Sequence, residues 1–180
     1  MTGLNRGVGK VEIALKWDPS PLGAPPHDLD LIAATYRADD PRGEPAYLVH
    51  FDSRSPDGTI TLQRQSQTGQ GFGADEVMTL EFARIAPAYG RVVVGVAIQQ
   101  GAGRRTFGEV ASTGVQIREG YAELAADDFA GVADATAATV AEFVREPAGT
   151  WRFRPVVQGF DTDPASFSAL MGTVAGARVR

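Results

Sequence analysis

The sequence predicts an all-β domain, most naturally a β-sandwich, and three observations carry that expectation. Apolar residues recur with period 2 far more than with the helical period, as at Val11, Ile13, Leu15 and Trp17. The apolar runs are short, and turn chemistry from 21 glycines and 11 prolines separates them. One run, residues 91–100, is apolar on both faces and suits the middle of a covered sheet.

Taken in order, residues 10–17 form a half-buried strand, with Lys10, Glu12 and Lys16 on its wet side. Residues 18–26 hold four prolines and cannot enter a helix or a central strand. A strand is expected over 28–36, opening with Asp28 and Asp30. The Asp39-Asp40-Pro41-Arg42-Gly43 turn leads to a strand at 46–51. Ser55-Pro56-Asp57-Gly58 is a second turn, because proline fixes φ and glycine supplies φ > 0, and it feeds a strand at 59–64. Residues 65–74, Gln-Ser-Gln-Thr-Gly-Gln-Gly-Phe-Gly-Ala, have almost no apolar content and form a loop. Strands follow at 77–82 and 91–100, then a hairpin of 115–118 and 121–125 around a Glu119-Gly120 turn, then strands at 137–144 and 151–158. Two short helices are expected. One lies near 106–110; the other starts at Asp163 as N-cap, with Pro164 first, and runs to about Met171.

At 180 residues one domain, 1–180, is the expectation, with a core over about 8–160 and a C-terminal helix and tail over 161–180. Hydrophobic residues make up 43%, enough for a sizeable core. A net charge of −5 argues against a nucleic-acid surface, which needs a basic stripe. The absence of cysteine excludes disulfide, zinc-thiolate and thiol-nucleophile readings and fits a reducing cytoplasm. No run reaches the ~20 apolar residues of a membrane helix, and the N-terminus lacks a secretory apolar region. A soluble cytoplasmic protein is expected, without membrane insertion.

The candidate chemistry lies in carboxylates. Asp28 and Asp30, at i and i+2 of a strand, share a face about 7 Å apart. Such a pair either invites a hard cation or sits at a solvated sheet end. The loop ending in Asp75-Glu76 adds two acids after alternating glycines, and calcium favours carbonyl and carboxylate oxygens from such loops. Its spacing is not that of an EF-hand, nor does a Lys-Ser/Thr follow as in a phosphate loop. His27 beside Asp28 is a conceivable metal or catalytic pair, though an exposed loop histidine is expected. Arg104-Arg105 is expected in a solvated turn rather than an anion site. Trp17 and Trp151 are read as packing residues. No Gly-x-Ser-x-Gly elbow is present, and no nucleophilic triad is visible.

Several ordered segments together resemble the tellurium-resistance TerD family: Lys16-Trp17-Asp18, His27-Asp28-Leu29-Asp30-Leu31, Ser55-Pro56-Asp57-Gly58-Thr59 and Thr68-Gly69-Gln70-Gly71-Phe72-Gly73-Ala74-Asp75-Glu76. Thr106-Phe107-Gly108-Glu109-Val110 and the segment 149–160, beginning Gly149-Thr150-Trp151, continue the match. The resemblance covers about residues 8–160. It implies a sandwich of two antiparallel sheets with one or two short helices, carrying adjacent calcium sites near Asp28, Asp30, Asp75 and Glu76.

This chain departs from the family's pattern in the loop. Gln65, Ser66, Gln70, Phe72 and Ala74 stand where the family typically has Asp, Asn, Glu, Asp and Asp. Gln65, Ser66, Gln70 and the Gly71 carbonyl offer weak neutral oxygens; the side chains of Phe72 and Ala74 offer none. Calcium affinity follows ligand charge, so calcium binding is expected to be weak, confined to one site or lost. The resemblance therefore implies a non-enzymatic binding module of a stress-response system, with protein partners. The alternative is a calcium-independent structural or protein-interaction module using the same loop face, a use that Phe72 favours. A metal-dependent hydrolase is a third reading, without a base or nucleophile to support it.

Overall fold

The computed structural model describes residues 7–71, 73–101 and 103–174. Two five-stranded antiparallel sheets face each other. The first has strand order β4-β5-β1-β7-β8, from β1 (Lys10–Lys16), β4 (Ile60–Arg64), β5 (Glu76–Glu81), β7 (Gly114–Glu119) and β8 (Ala122–Asp127). The second has order β10-β9-β6-β2-β3, from β2 (Leu29–Arg37), β3 (Tyr47–Val49), β6 (Tyr89–Ile98), β9 (Ala137–Arg145) and β10 (Trp151–Phe160).

Alternation in β1 places Val11, Ile13 and Leu15 in the core, with Lys10, Glu12 and Lys16 exposed. The inward rows of both sheets meet in one cluster that includes Trp17, Leu31, Leu80, Phe82, Phe143 and Trp151. In β10 Trp151 and Phe153 are buried, while Arg152 and Arg154 are partly exposed, as the period predicts. Pro155 is tolerated because β10 is an edge strand with a register shift between Pro155 and Gln158.

The outer face of the second sheet is covered by α1 (Pro164–Leu170), whose N-cap Asp163 accepts from Ser166 N–H at 2.7 Å. Phe167 and Met171 pack on Ile32, Ala34, Val93 and Ala97. Gly95 is required beneath them, since a Cβ there would come within 2.5 Å of the Phe167 ring. β6 is therefore buried on both faces, as expected, although it ends at Ile98 rather than at residue 100, and it also buries Arg91. Its guanidinium pairs with Glu142 at 2.7 Å and donates to the carbonyls of Pro41 and Gly172. Burial acts to raise the Glu142 carboxyl, yet hydrogen bonds and charge from Arg154 and Arg91 hold it below its ordinary value.

Several boundaries differ from the sequence expectation. The hairpin turn is Gly120-Tyr121 rather than Glu119-Gly120, because Glu119 pairs with Ala122. Gly120 stands first at φ +61 and Tyr121 is not left-handed, the Gly-first pattern of a type II′ turn. The strand expected at 46–51 shrinks to three residues, pairing only Ala33–Thr35 of β2. The helix near 106–110 is a single 3-10 turn, Phe107–Glu109, where Glu109 accepts from Thr106 N–H and Oγ1–H.

Candidate functional site

The shortness of β3 creates the site. Beyond Ala33 the outer edge of β2 has no neighbouring strand, so the Leu31 N–H lacks a ladder partner. Glu76, at the start of β5 in the opposite sheet, supplies one: its Oε1 accepts from Leu31 N–H at 2.8 Å. A carboxylate from one sheet thus seals the strand edge of the other, and Glu76 is completely buried.

Asp75 does a different job. Its N–H donates to Leu15 O at 2.8 Å, and its Oδ2 accepts from Trp17 N–H at 2.8 Å, extending the β1–β5 pairing past the strand end. The Trp17 indole N–H donates to His27 O, tying in the chain before β2. Gly69 lies over this indole at φ +76, where a Cβ would come within 2.5 Å of Nε1. The glycine-rich loop is therefore shaped by Trp17.

Asp28 and Asp30 meet beside Glu76, as their spacing suggested. Asp28 precedes the first β2 residue, with its carbonyl accepting from Gln99 N–H at 2.9 Å. The Gln99 amide also donates to Asp30 Oδ2 at 2.6 Å. Burial pushes Asp28 up to about 7, and the charge of Asp30 adds to the shift. Burial likewise raises Asp30, against hydrogen bonding that favours its charged form. Burial drives Glu76 to about 10, with the charges of Asp30 and Asp28 contributing. These three acids form one electrostatic unit; Asp75 is bonded to Trp17 instead.

Among the described residues, Asp28 Oδ1 and Asp75 Oδ1 are buried carboxyl oxygens with no hydrogen-bond partner, and Glu76 Oε2 has no N–H or hydroxyl donor, Glu76 sharing a hydrogen bond with the Asp30 carboxyl instead. Burying a charged oxygen without a partner is costly, so these atoms suit a cation. The carboxylate side of the expected site fits calcium in donor chemistry. Among the described residues, however, no group of three His, Cys, Asp or Glu side chains is already arranged to hold a metal ion.

The loop side contributes less. Gln65, Gln70 and Gly71 are exposed, and the Gln70 N–H donates to Thr68 Oγ1 within its own loop. Ser66 Oγ accepts from Thr68 N–H and Gly69 N–H, so the hydroxyl closes its own loop. Lys16 Nζ donates to Gly73 O at 3.2 Å, placing a protein cation against a loop carbonyl. Phe72, singled out by its chemistry, lies outside the described residues.

His27 differs from expectation: it is 5% exposed, and its Nε2 lies 3.0 Å from an Arg105 guanidinium nitrogen. Burial, then the Arg105 charge, lowers its pKa, which favours a neutral ring that accepts from Arg105. Arg104 bonds Asp161 and the Asp134 carbonyl, so the arginine pair is occupied rather than waiting for an anion. Sequence reasoning missed Gln99, although a polar residue directly after an apolar central strand was a visible signal.

Comparison with known proteins gives a consistent family relationship. A family model described as the TerD domain matches residues 1–169. The chain is similar to the tellurium resistance protein TerD of Serratia marcescens, 26% identical over 169 residues, covering 90% of this chain and 86% of that protein. It is also similar to the uncharacterized protein YceE of Bacillus subtilis, 27% identical, with coverage of 89% and 86%. A solved homologue of the telluride resistance protein from Streptomyces coelicolor is 56% identical and superposes with a TM-score of 0.92, covering 94% of this chain and all of that one. A solved protein of unknown function, SAV2460, is 59% identical with a TM-score of 0.91, covering 93% and 98%.

Proposed function

The chain belongs to the TerD family, and from that membership we propose that it is a non-enzymatic binding module of a tellurium-resistance type stress response, with weak calcium binding at one site. The ligands are Asp28, Asp30 and Glu76. Asp75 stands at the margin, where its free Oδ1 is available while Oδ2 stays on Trp17. The observation that carries this reading is the unpartnered buried oxygens of Asp28 and Asp75 beside a Glu76–Asp30 carboxyl pair that no lysine or arginine among the described residues neutralises. Calcium at this site would supply positive charge to carboxylates that burial otherwise keeps from ionising.

The exposed positions of Gln65, Gln70 and Gly71, with Lys16 on the Gly73 carbonyl, support loss of a second site. The same observations favour the rival reading, a calcium-independent interaction module. In either case the partners are proteins and the compartment is the cytoplasm. No helix among the described residues is long and apolar enough to cross a membrane.

Titration of chelator-treated protein with calcium, followed by calorimetry and thermal unfolding, tests the proposal. A saturable rise in unfolding temperature with a Kd of roughly 10⁻⁴ M or weaker, absent with magnesium, is expected. No response to 10⁻² M-scale calcium would leave the interaction-module reading in its place.

A further inference from the structure

A cleft of about 450 Å³ opens where the start of α1 meets the end of β6 and the turn after β3. Its floor includes Asp30, 2% exposed, which forms no ion pair with any lysine or arginine among the described residues. Behind Asp30 lies the fully buried Glu76, whose carboxyl hydrogen-bonds to that of Asp30. Ile32 provides an aliphatic wall, and Phe51, 48% exposed, provides an aromatic surface. Asp163 adds a second carboxylate; His50 is the one basic side chain of the lining, which holds no lysine or arginine.

This combination selects a ligand class. Anions are repelled by the two carboxylates. A bare metal ion inside the cleft itself would lack the six to eight oxygens it needs at 2.3–2.6 Å, since the other proposed calcium ligands, Asp28 and Glu76, lie outside this lining. A guanidinium prefers a bidentate carboxylate, but Asp30 Oδ2 is already taken by Gln99. An ammonium is a compact charge that needs only one acceptor lone pair, so it can join an Asp30 carboxyl already bonded to Gln99 and Glu76, and its methylene stem suits an aliphatic and aromatic lining.

We propose that this cleft binds an aliphatic ammonium group, with its charge at Asp30 and its stem between Ile32 and Phe51. The group is either the lysine side chain of a partner protein or a free diamine; Asp163 can receive the second ammonium of a diamine. The site shares Asp30 with the calcium reading but does not depend on it.

The test is an NMR titration of isotope-labelled full-length protein with Nα-acetyl-lysine methylamide, with cadaverine, and with the neutral Nα-acetyl-norleucine methylamide. Saturable shifts at Asp30, Phe51 and Gln99 are expected with the two amines and not with norleucine. Phe51→Ala should weaken amine binding about two- to fivefold through loss of the cation–aromatic contact. Asp163→Asn should weaken cadaverine alone if the diamine is the ligand, and neither amine if lysine is. Asp30→Asn should abolish binding; should that variant fail to fold, Phe51→Ala and the norleucine comparison still decide. Equal binding of norleucine, or no shift with either amine, overturns the inference. Calcium titration of Phe51→Ala should match wild type, so loss of amine binding with calcium intact, or the reverse, identifies which of the two readings fails.

Discussion

Replacing Glu76 with glutamine separates the structural duty of this residue from its charge. Glutamine retains the oxygen that accepts from Leu31 N–H and removes only the ionisable group. The wild-type carboxyl is raised from 4.5 to about 10, first by burial and then by Asp30 and Asp28. The folded state therefore holds a proton that the unfolded state releases. This contribution to stability is fully present below pH 4.5, declines as pH rises, and is gone above about 10. One proton of difference corresponds to ~1.4 kcal/mol per pH unit, so wild type should lose about 2–3 kcal/mol between pH 5 and 7 through Glu76 alone. Groups remote from the cluster cancel when the two profiles are subtracted, while Asp28 and Asp30, coupled to Glu76, shift with it and contribute to the difference. Urea unfolding of wild type and Glu76→Gln at pH 5, 6 and 7, without calcium, gives the comparison directly. The variant should show the shallower decline, and calcium should stabilise wild type while leaving the variant unchanged. Parallel pH profiles would refute the reasoning, because Glu76 would then titrate alike in folded and unfolded chains.

Trp151→Ala should lower stability by ~3–5 kcal/mol, since Trp151 is buried with its ring 5.0 Å from that of Phe82. Arg152→Ala, which removes a half-exposed ion pair with Glu146, should cost at most about 1 kcal/mol; equal denaturation midpoints would show the β10 register to be wrong. Glu142→Gln should cost about 3–5 kcal/mol by leaving Arg91 buried without its counter-charge, and a midpoint within error of wild type would contradict that account. Gly69→Ala should destabilise by ~1–3 kcal/mol, because φ +76 and the Trp17 indole both oppose a side chain; unchanged thermal unfolding would mean that the loop moves freely off Trp17. The triple change Gln65→Asp, Gln70→Glu and Ala74→Asp should lower stability in chelator through charge repulsion and enlarge the gain from calcium, as calorimetry can read.

Local pattern by itself determined the β1 and β10 registers and the C-terminal helix. Val11, Ile13 and Leu15 turn inward because strand geometry has period 2, and Asp163-Pro164 starts a helix because capping and a fixed φ act within a few residues. The i, i+2 spacing likewise brought Asp28 and Asp30 together. Only tertiary structure decided which acids joined them. Glu76 and Asp75 are neighbours in the chain, yet Glu76 crosses to Leu31 because β3 ends early, whereas Asp75 turns to Trp17 at the end of β1. Neither the early end of β3 nor the buried pairing of Arg91 with Glu142 leaves a periodic trace. Each depends on which strands become neighbours when two sheets close, and the contacts that settle it lie 45 to 58 residues apart in sequence. Backbone sterics write the strands locally, while the meeting of side chains at the site is fixed by the packing of one sheet on the other.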